Sequence, residues 1–255
     1  MSRILRNGLP GLLLPLIFAT QPLQAAQVTL TSPTEQAMLV ELYTSEGCSS
    51  CPPADRWLSG LRDDPQLWRE LVPIAFHVDY WDYIGWTDRF ATADHGQRQR
   101  AYAADGRVGS VYTPGFVVDG REWRGWFRGR EPEPGDRAAA GVLTLELDVG
   151  KVEARFDATA EAGGEVDLHL VLLGFDLSSE VQSGENSGRT LRHDFVVLDY
   201  QRQPLQRVGA GYRLRTDRPR SGVKAGRYAI AAWVTPRGGL EPLQAVGGWL
   251  PDNHL

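Results

Sequence analysis

Met38-Leu39-Val40-Glu41-Leu42-Tyr43-Thr44-Ser45-Glu46-Gly47-Cys48-Ser49-Ser50-Cys51-Pro52-Pro53-Ala54-Asp55 reads as a strand, a tight turn and the opening of a helix. The first six residues form a short apolar run that stops at a turn signal, the pattern of a buried strand. Beyond Cys51, apolar residues fall at Ala54, Trp57, Leu58 and Leu61, the i, i+3, i+4, i+7 spacing of one helical face. Between the two lie the only 2 cysteines in 255 residues. A pair three residues apart closes a very small ring, so as a staple it stabilises little. A four-coordinate structural zinc needs two further ligands, and there is no second cysteine pair. Thiol–disulfide exchange is the chemistry that suits such a pair: one thiolate attacks and its neighbour resolves the mixed disulfide.

A helix N-terminus presents unpaired N–H groups and the positive end of a dipole, which lowers the pKa of a thiol there. Cys48 is the expected exposed, attacking sulfur and Cys51 the resolving one, with Ser49 and Ser50 as hydroxyl donors to a thiolate. Pro52 and Pro53 lack N–H groups and fit only the first turn of a helix, so the share of the dipole each sulfur receives is open. Glu41 and Glu46 lie close in sequence, either opposing a thiolate or accepting its proton.

Outward from this segment, strand and helix patterns alternate to about Ala140. Asp64-Pro65 looks like the cap and first position of a short helix carrying Leu67, Trp68 and Leu71. Val72 to Val78 reads as a second strand, and Thr92 to Ala104 as a mostly solvated helix. Phe116-Val117-Val118 is a third strand, with Asp119-Gly120 as a hairpin turn into Trp123 to Phe127. From Val142 the period becomes two: Leu143, Leu145, Leu147 and Val149; Val152, Ala154 and Phe156; Val166, Leu168, Leu170 and Leu172. Further strands are expected at Phe195-Val196-Val197, Tyr228 to Val234 and Leu243 to Trp249. The predicted fold is therefore an α/β domain over 27–140 followed by a mostly β, sandwich-like domain over 141–255, joined near Pro132 to Gly135.

Residues 1–26 read as a secretory signal: Arg3 and Arg6, an apolar Leu9 to Ala19, then small residues at Ala25 and Ala26. The expected location is periplasmic or secreted, with no membrane span in the mature form. The formal charge of −5 becomes −7 once Arg3 and Arg6 are removed, a poor match to nucleic acid. No cofactor is expected, and the oligomeric state is open.

A resemblance emerges from longer motifs. The Glu41-to-Asp55 segment, Phe76-His77-Val78-Asp79-Tyr80-Trp81-Asp82-Tyr83, Gly85-Trp86, Arg98-Gln99-Arg100-Ala101-Tyr102, Val111-Tyr112-Thr113-Pro114, Val118-Asp119-Gly120 and Gly184-Glu185-Asn186-Ser187-Gly188-Arg189 resemble a bacterial family of exported proteins. That family is known chiefly as a domain of unknown function with a thioredoxin-like fold. The resemblance implies a thioredoxin-like first domain. It also implies a cis Thr113–Pro114 bond facing the cysteines, with Tyr112 and Thr113 offering backbone groups to an extended substrate. A trans, strand-initiating proline is the plain alternative. Against ordinary thioredoxins, Gly47 stands where a tryptophan usually precedes the first cysteine, and Pro52 follows the second.

At the carboxyl end of the second strand, His77, Asp79, Tyr80, Trp81 and Asp82 occupy the place where open α/β sheets form ligand crevices. Asp79 or Asp82 is a candidate proton shuttle to Cys51, and the rings a candidate apolar groove or a packed cluster. His77 reads as a core or supporting residue more than a metal ligand. The segment from Gly184 to Arg189 is a turn by composition, or reaches back to the cysteines. Three functions remain in play: a thiol–disulfide oxidoreductase acting on protein or small thiols through Cys48, Cys51 and Pro114; a Cu(I)-binding or delivery protein using the two thiolates; and a noncatalytic binding module whose disulfide shapes a turn.

Overall fold

The computed structural model describes residues 28–133, 138–159 and 164–251. The expected signal segment 1–26 lies outside them, as do Pro134 and Gly135 of the expected junction. Among the described residues there are fifteen strands, two α-helices and three short 3-10 helices. In chain order the strands of the first half are β1 (Val28–Thr31), β2 (Met38–Thr44), β3 (Leu71–His77), β4 (Gly115–Val118) and β5 (Arg121–Glu122). Helix α1 (Pro52–Gly60) follows β2, and α2 (Ala93–Ala104) precedes β4.

The second half runs through β6 (Gly141–Asp148), β7 (Lys151–Ala158), β8 (Val166–Phe175), β9 (Leu177–Glu180) and β10 (Thr190–His193). It continues through β11 (Val196–Pro204), β12 (Gln206–Val208), β13 (Gly211–Asp217), β14 (Arg227–Pro236) and β15 (Gln244–Trp249).

The expected thioredoxin-like α/β domain followed by a separate β domain is overturned by the sheet topology. An eight-stranded sheet runs β15-β14-β8-β11-β3-β2-β4-β5, so strands of both halves form one surface. The seam is β11 against β3, parallel, with Val196 opposite Ala75. A five-stranded sheet, β1-β6-β7-β13-β12, includes a strand from the start of the chain, and β9 and β10 form a separate hairpin. Among the described residues the molecule is mostly β, with only two α-helices of 9 and 12 residues. No helix among them is long and apolar enough to cross a membrane.

Why the halves merge follows from side-chain alternation. On β8, Val171, Leu173 and Phe175 enter a core with β2, β3, β4 and α1, while Leu168, Leu170 and Leu172 enter a second core with β6 and β7. On β14, Ala229, Ala231 and Trp233 face the first core, and Ile230, Ala232 and Val234 the second. Successive side chains of a strand point to opposite faces, so a strand buried on both sides belongs to two cores at once.

Local expectations fare differently. Asp119 (φ 46°) and Gly120 (φ 80°) make the predicted tight turn between β4 and β5, both in the left-handed conformation that a type I′ hairpin demands. Asp64-Pro65 does not open a helix; Asp64 follows a 3-10 turn at Leu61–Asp63, and Leu67 bridges to Leu71. Beyond β5, Trp123 to Phe127 bends into a 3-10 turn at Gly125–Arg128 in place of a strand. Helix α2 is capped by Thr92, whose Oγ1 accepts the His95 N–H. It buries His95, Arg98, Gln99 and Tyr102 and so is less solvated than expected. Arg98 donates from Nε and Nη2 to the Glu41 carboxylate at 2.8 and 2.9 Å, tying α2 to β2. Its guanidinium also lies over the Trp233 ring of β14, 4.9 Å from the centroid.

Seven of the eight tryptophans, all but Trp86, lie in or against the first core, so tryptophan fluorescence reports on that core. Ile230→Ala in the second core is expected to cost about 2–5 kcal/mol and to lower the fluorescence-monitored denaturation midpoint in one cooperative step. An unmoved tryptophan signal would mean that the two cores unfold independently.

Candidate functional site

Cys48 and Cys51 form a disulfide at the entrance to α1. Cys51 is the N-cap residue with helical dihedrals (φ −76°, ψ −38°), and its carbonyl accepts the N–H groups of Ala54 at 2.8 Å and Asp55 at 3.0 Å. Pro52 and Pro53 occupy the first two helical positions, so two of the usual free N–H groups are absent here. Cys48 Sγ lies 3.4 Å from Ser50 Oγ.

The expectation of an exposed attacking sulfur is corrected. Cys48 is 1% exposed and Cys51 0%, whereas Ser49 and Ser50 face solvent. Two elements supply the cover. Trp81 packs on Gly47, where an added Cβ would sit 2.9 Å from the Trp81 Cβ; glycine is required because the tryptophan approaches the backbone itself. From the other side, the 184–189 segment reaches back to the cysteines. Asn186, fully buried, donates from Nδ2 to the carbonyls of Glu46 (2.8 Å) and Cys48 (3.0 Å). Glu185 accepts the Ser49 N–H at 3.0 Å, which holds its carboxyl below the usual range.

The Thr113–Pro114 peptide is cis. Trp81 joins it to the cysteine turn, since its Nε1 donates to Thr113 Oγ1 at 2.7 Å while its Cβ contacts Gly47. Pro114 is buried, and Thr113 and Tyr112 are half-buried. The Tyr112 carbonyl accepts Gln99 Nε2 (2.7 Å), and its hydroxyl donates to Glu122 (2.7 Å), so carbonyl and hydroxyl both have internal partners. Tyr80 donates to Gln99 at 3.0 Å, and burial pushes its phenol up to about 12. Asp79 lies against Gly96 of α2, and Asp82 accepts the Asp88 N–H at 3.2 Å. Burial lifts the Asp82 carboxyl above its ordinary value. Neither carboxylate contacts a sulfur. Tyr83, expected to line a groove, is 83% exposed.

Behind the cysteines lies a buried polar cluster that the sequence pattern only partly exposes. His77, at the end of β3, sits 2.7 Å from Asp88, whose carboxylate also accepts the Glu46 and Phe90 N–H groups. Burial alone would lower the His77 pKa, but the Asp88 charge outweighs it and holds the imidazole above its ordinary value. Burial would likewise raise Asp88, and His77 with the two backbone donors keeps it below the carboxylate range. His193, at the end of β10, places its ring 4.9 Å from that of His77. Its Nε2 is 3.3 Å from Glu46 Oε1 and its Nδ1 is 3.8 Å from Asp55.

Glu46 also accepts Trp86 Nε1 at 2.8 Å. Burial opposes its ionisation, yet His193 and these donors bring the carboxyl below its usual value. Asp55 has the reverse balance: burial raises its pKa despite the nearby His193 and His77. His77 Nε2 has no hydrogen-bond partner, whereas His193 meets Glu46 and Asp55 at ion-pair distances.

Asp55, Asp88, His193 and Glu185 are therefore site residues that the sequence reading did not single out. Asp55 carried a signal, four residues after Cys51 on a helix. His193 carried none, because it arrives from a hairpin 142 residues beyond Cys51. The groupings of His, Cys, Asp and Glu among the described residues do not meet metal-site geometry.

A family model described as protein of unknown function (DUF1223) matches residues 39–235. A structural-genomics crystal structure of a protein from Agrobacterium tumefaciens is 25% identical, covering 86% of this chain and 95% of that one with a TM-score of 0.59. HBP35 of Porphyromonas gingivalis is similar in fold at 16% identity, covering 86% of this chain and 76% of that one with a TM-score of 0.61. Among curated proteins, none matches significantly.

The His77–Asp88 pair gives a pH signature with a definite sign. His77 is raised, so its contribution is full below about pH 6.5 and is lost as pH rises through its folded pKa. Asp88 is depressed, so its contribution is present above about pH 4 and is lost as pH falls through its folded pKa. Asp88→Asn is expected to cost roughly 3 kcal/mol at pH 6 and to flatten the loss of stability toward pH 9. Thermal melts of wild type and variant across pH check this; parallel profiles would remove the pair from the account.

Proposed function

We propose that this chain, which belongs to the DUF1223 family, is a thiol–disulfide redox protein acting on protein or small-molecule thiols through Cys48 and Cys51. The observation that carries this reading is the buried acid–histidine cluster built on residues that flank the disulfide in the chain, Glu46 just before Cys48 and Asp55 one turn after Cys51. A disulfide that only braces a turn has no use for proton-holding groups. A reducible one does, because opening it in a dry site leaves a thiolate that needs a proton. Asp55 is placed for that role. Cys51 already has helical dihedrals, so Asp55 sits one turn on along the same face, and burial holds its carboxyl proton above the usual range.

In this reading a partner thiolate attacks Cys48 Sγ and displaces Cys51 as thiolate, which takes a proton from Asp55. A second partner thiolate then attacks the partner sulfur of the mixed disulfide, releasing the oxidised partner and the Cys48 thiolate. Ser50 Oγ, 3.4 Å from Cys48 Sγ, supplies a donor to that thiolate in place of the N–H groups that Pro52 and Pro53 lack. Trp81 and the Thr113–Pro114 segment border the turn where the partner docks. The proposal places this chemistry outside the cytoplasm, on the strength of the export signal read in residues 1–26.

A second reading, a disulfide that fixes the turn and nothing more, draws on the burial of both cysteines. A redox titration against glutathione separates the two. The redox reading expects a potential above roughly −300 mV, the level below which structural disulfides fall, together with measurable exchange. Cys48→Ser is expected to abolish exchange and leave the melting temperature of the reduced fold unchanged. Asp55→Asn is expected to slow exchange about 100-fold. A potential below roughly −300 mV with no exchange would establish the second reading.

A further inference from the structure

A cavity of about 360 Å³ lies where the turn between β6 and β7 meets the segment after β13, and it shares no residue with the cysteine site. Its apolar wall is Leu172 of β8, Tyr228 of β14 and Leu250. The Tyr228 hydroxyl accepts the Ala225 N–H (3.0 Å) and donates to the Val223 carbonyl (2.8 Å), which leaves the ring as an apolar surface. Two guanidinium groups, Arg218 and Arg220, line the same space.

The charges here do not balance. Arg218 Nη1 is buried with no hydrogen-bond partner. The groups that act on Arg218 electrostatically are its own burial and Arg220, both of which disfavour its charge. The neighbouring acids are already engaged: Asp217 with Lys151 at 2.7 Å, Asp148 with Arg215 at 3.7 Å, and Asp199 with the Arg220 N–H at 2.9 Å. Gly150 lets the Arg220 guanidinium lie flat on the hairpin turn, since a Cβ at that position would sit 2.8 Å from its Nη2. A half-buried cation without a counter-ion is costly, which is the case of Arg218; Arg220 beside it is exposed and is attracted by Asp217. A planar guanidinium matches a carboxylate or phosphate through paired hydrogen bonds, and the apolar wall matches a hydrocarbon tail.

We infer that this cavity binds an amphipathic organic anion, its head on Arg218 and Arg220 and its short apolar tail against Leu172, Tyr228 and Leu250. The test is calorimetric titration of the full folded chain with octanoate, octyl phosphate and octanol. Saturable 1:1 binding of at least one of the two anions is expected, with octanol at least 10-fold weaker; which anion binds tighter identifies the head group. Arg218→Met should weaken anion binding at least 10-fold. Val149→Glu, at an exposed position on the rim, should do the same by supplying an internal carboxylate, and it keeps the question answerable if Arg218→Met does not fold. Equal affinity for octanol and the anions, or full anion affinity in a folded Arg218→Met or Val149→Glu protein, would overturn the inference.

Discussion

Two strands with no solvent face hold the molecule together. Every residue of β8 is buried, and so are the central residues of β14. Each strand sends alternate side chains into different cores, so neither core closes without the other. Polar residues on these strands are buried under the same constraint and must find partners inside. Asp167 accepts Arg202 Nη2 at 2.8 Å and faces Arg237 Nε at 2.8 Å. His169 stacks against Trp233 with centroids 4.8 Å apart, and it contacts the Tyr200 hydroxyl at 2.7 Å. Burial holds that imidazole well below its ordinary pKa, so it serves the sheet as a neutral ring.

The same merger builds the candidate site. Cys48, Glu46 and His77 come from the first half of the chain, whereas Glu185, Asn186 and His193 come from the second. Because β11 adds to the sheet beside β3, the hairpin just before it falls over the ends of β2 and β3. The cysteines are covered for that reason. A free-standing first domain would leave the turn open; here the second half lays Asn186 across its carbonyls.

What the sequence made legible was local. The strand-turn-helix run into Cys48 and Cys51, the Asp119-Gly120 turn and the strands of the second half each depend on neighbours within a few residues. The position of Thr113–Pro114 just before β4 was legible through motif order. Sheet membership was not. Val166 to Phe175 alternates Leu with Asp167 and His169, a pattern that reads as one dry and one wet face. Only the partners Arg202, Arg237, Tyr200 and Trp233, all distant in sequence, make the second face dry. The gathering of His193 and Asp88 around Glu46 was hidden for the same reason, whereas the return of the 184–189 segment to the cysteines was legible as one of two alternatives. Asp55 was legible by helical spacing, but a carboxylate in a first turn also reads as an ordinary dipole partner.

The two buried polar networks of the first core differ in a way that bears on function. Around Glu41 every carboxylate oxygen is matched: Oε1 receives Arg98 and Tyr102, and Oε2 receives Arg98 and Tyr43. Such a network is closed, and it fixes α2 on the sheet. The network around Glu46, His77 and His193 is equally buried, yet His193 meets Glu46 and Asp55 only at 3.3 and 3.8 Å, and His77 Nε2 has no hydrogen-bond partner. The His77 and His193 rings pack edge-on against Phe90, which belongs to a third, smaller apolar cluster with Leu177 and Val196. Unmatched groups in a dry interior carry a desolvation cost that selection for stability alone would remove. The redox proposal draws on their place beside the disulfide, where a site that exchanges protons would use them and a brace would not.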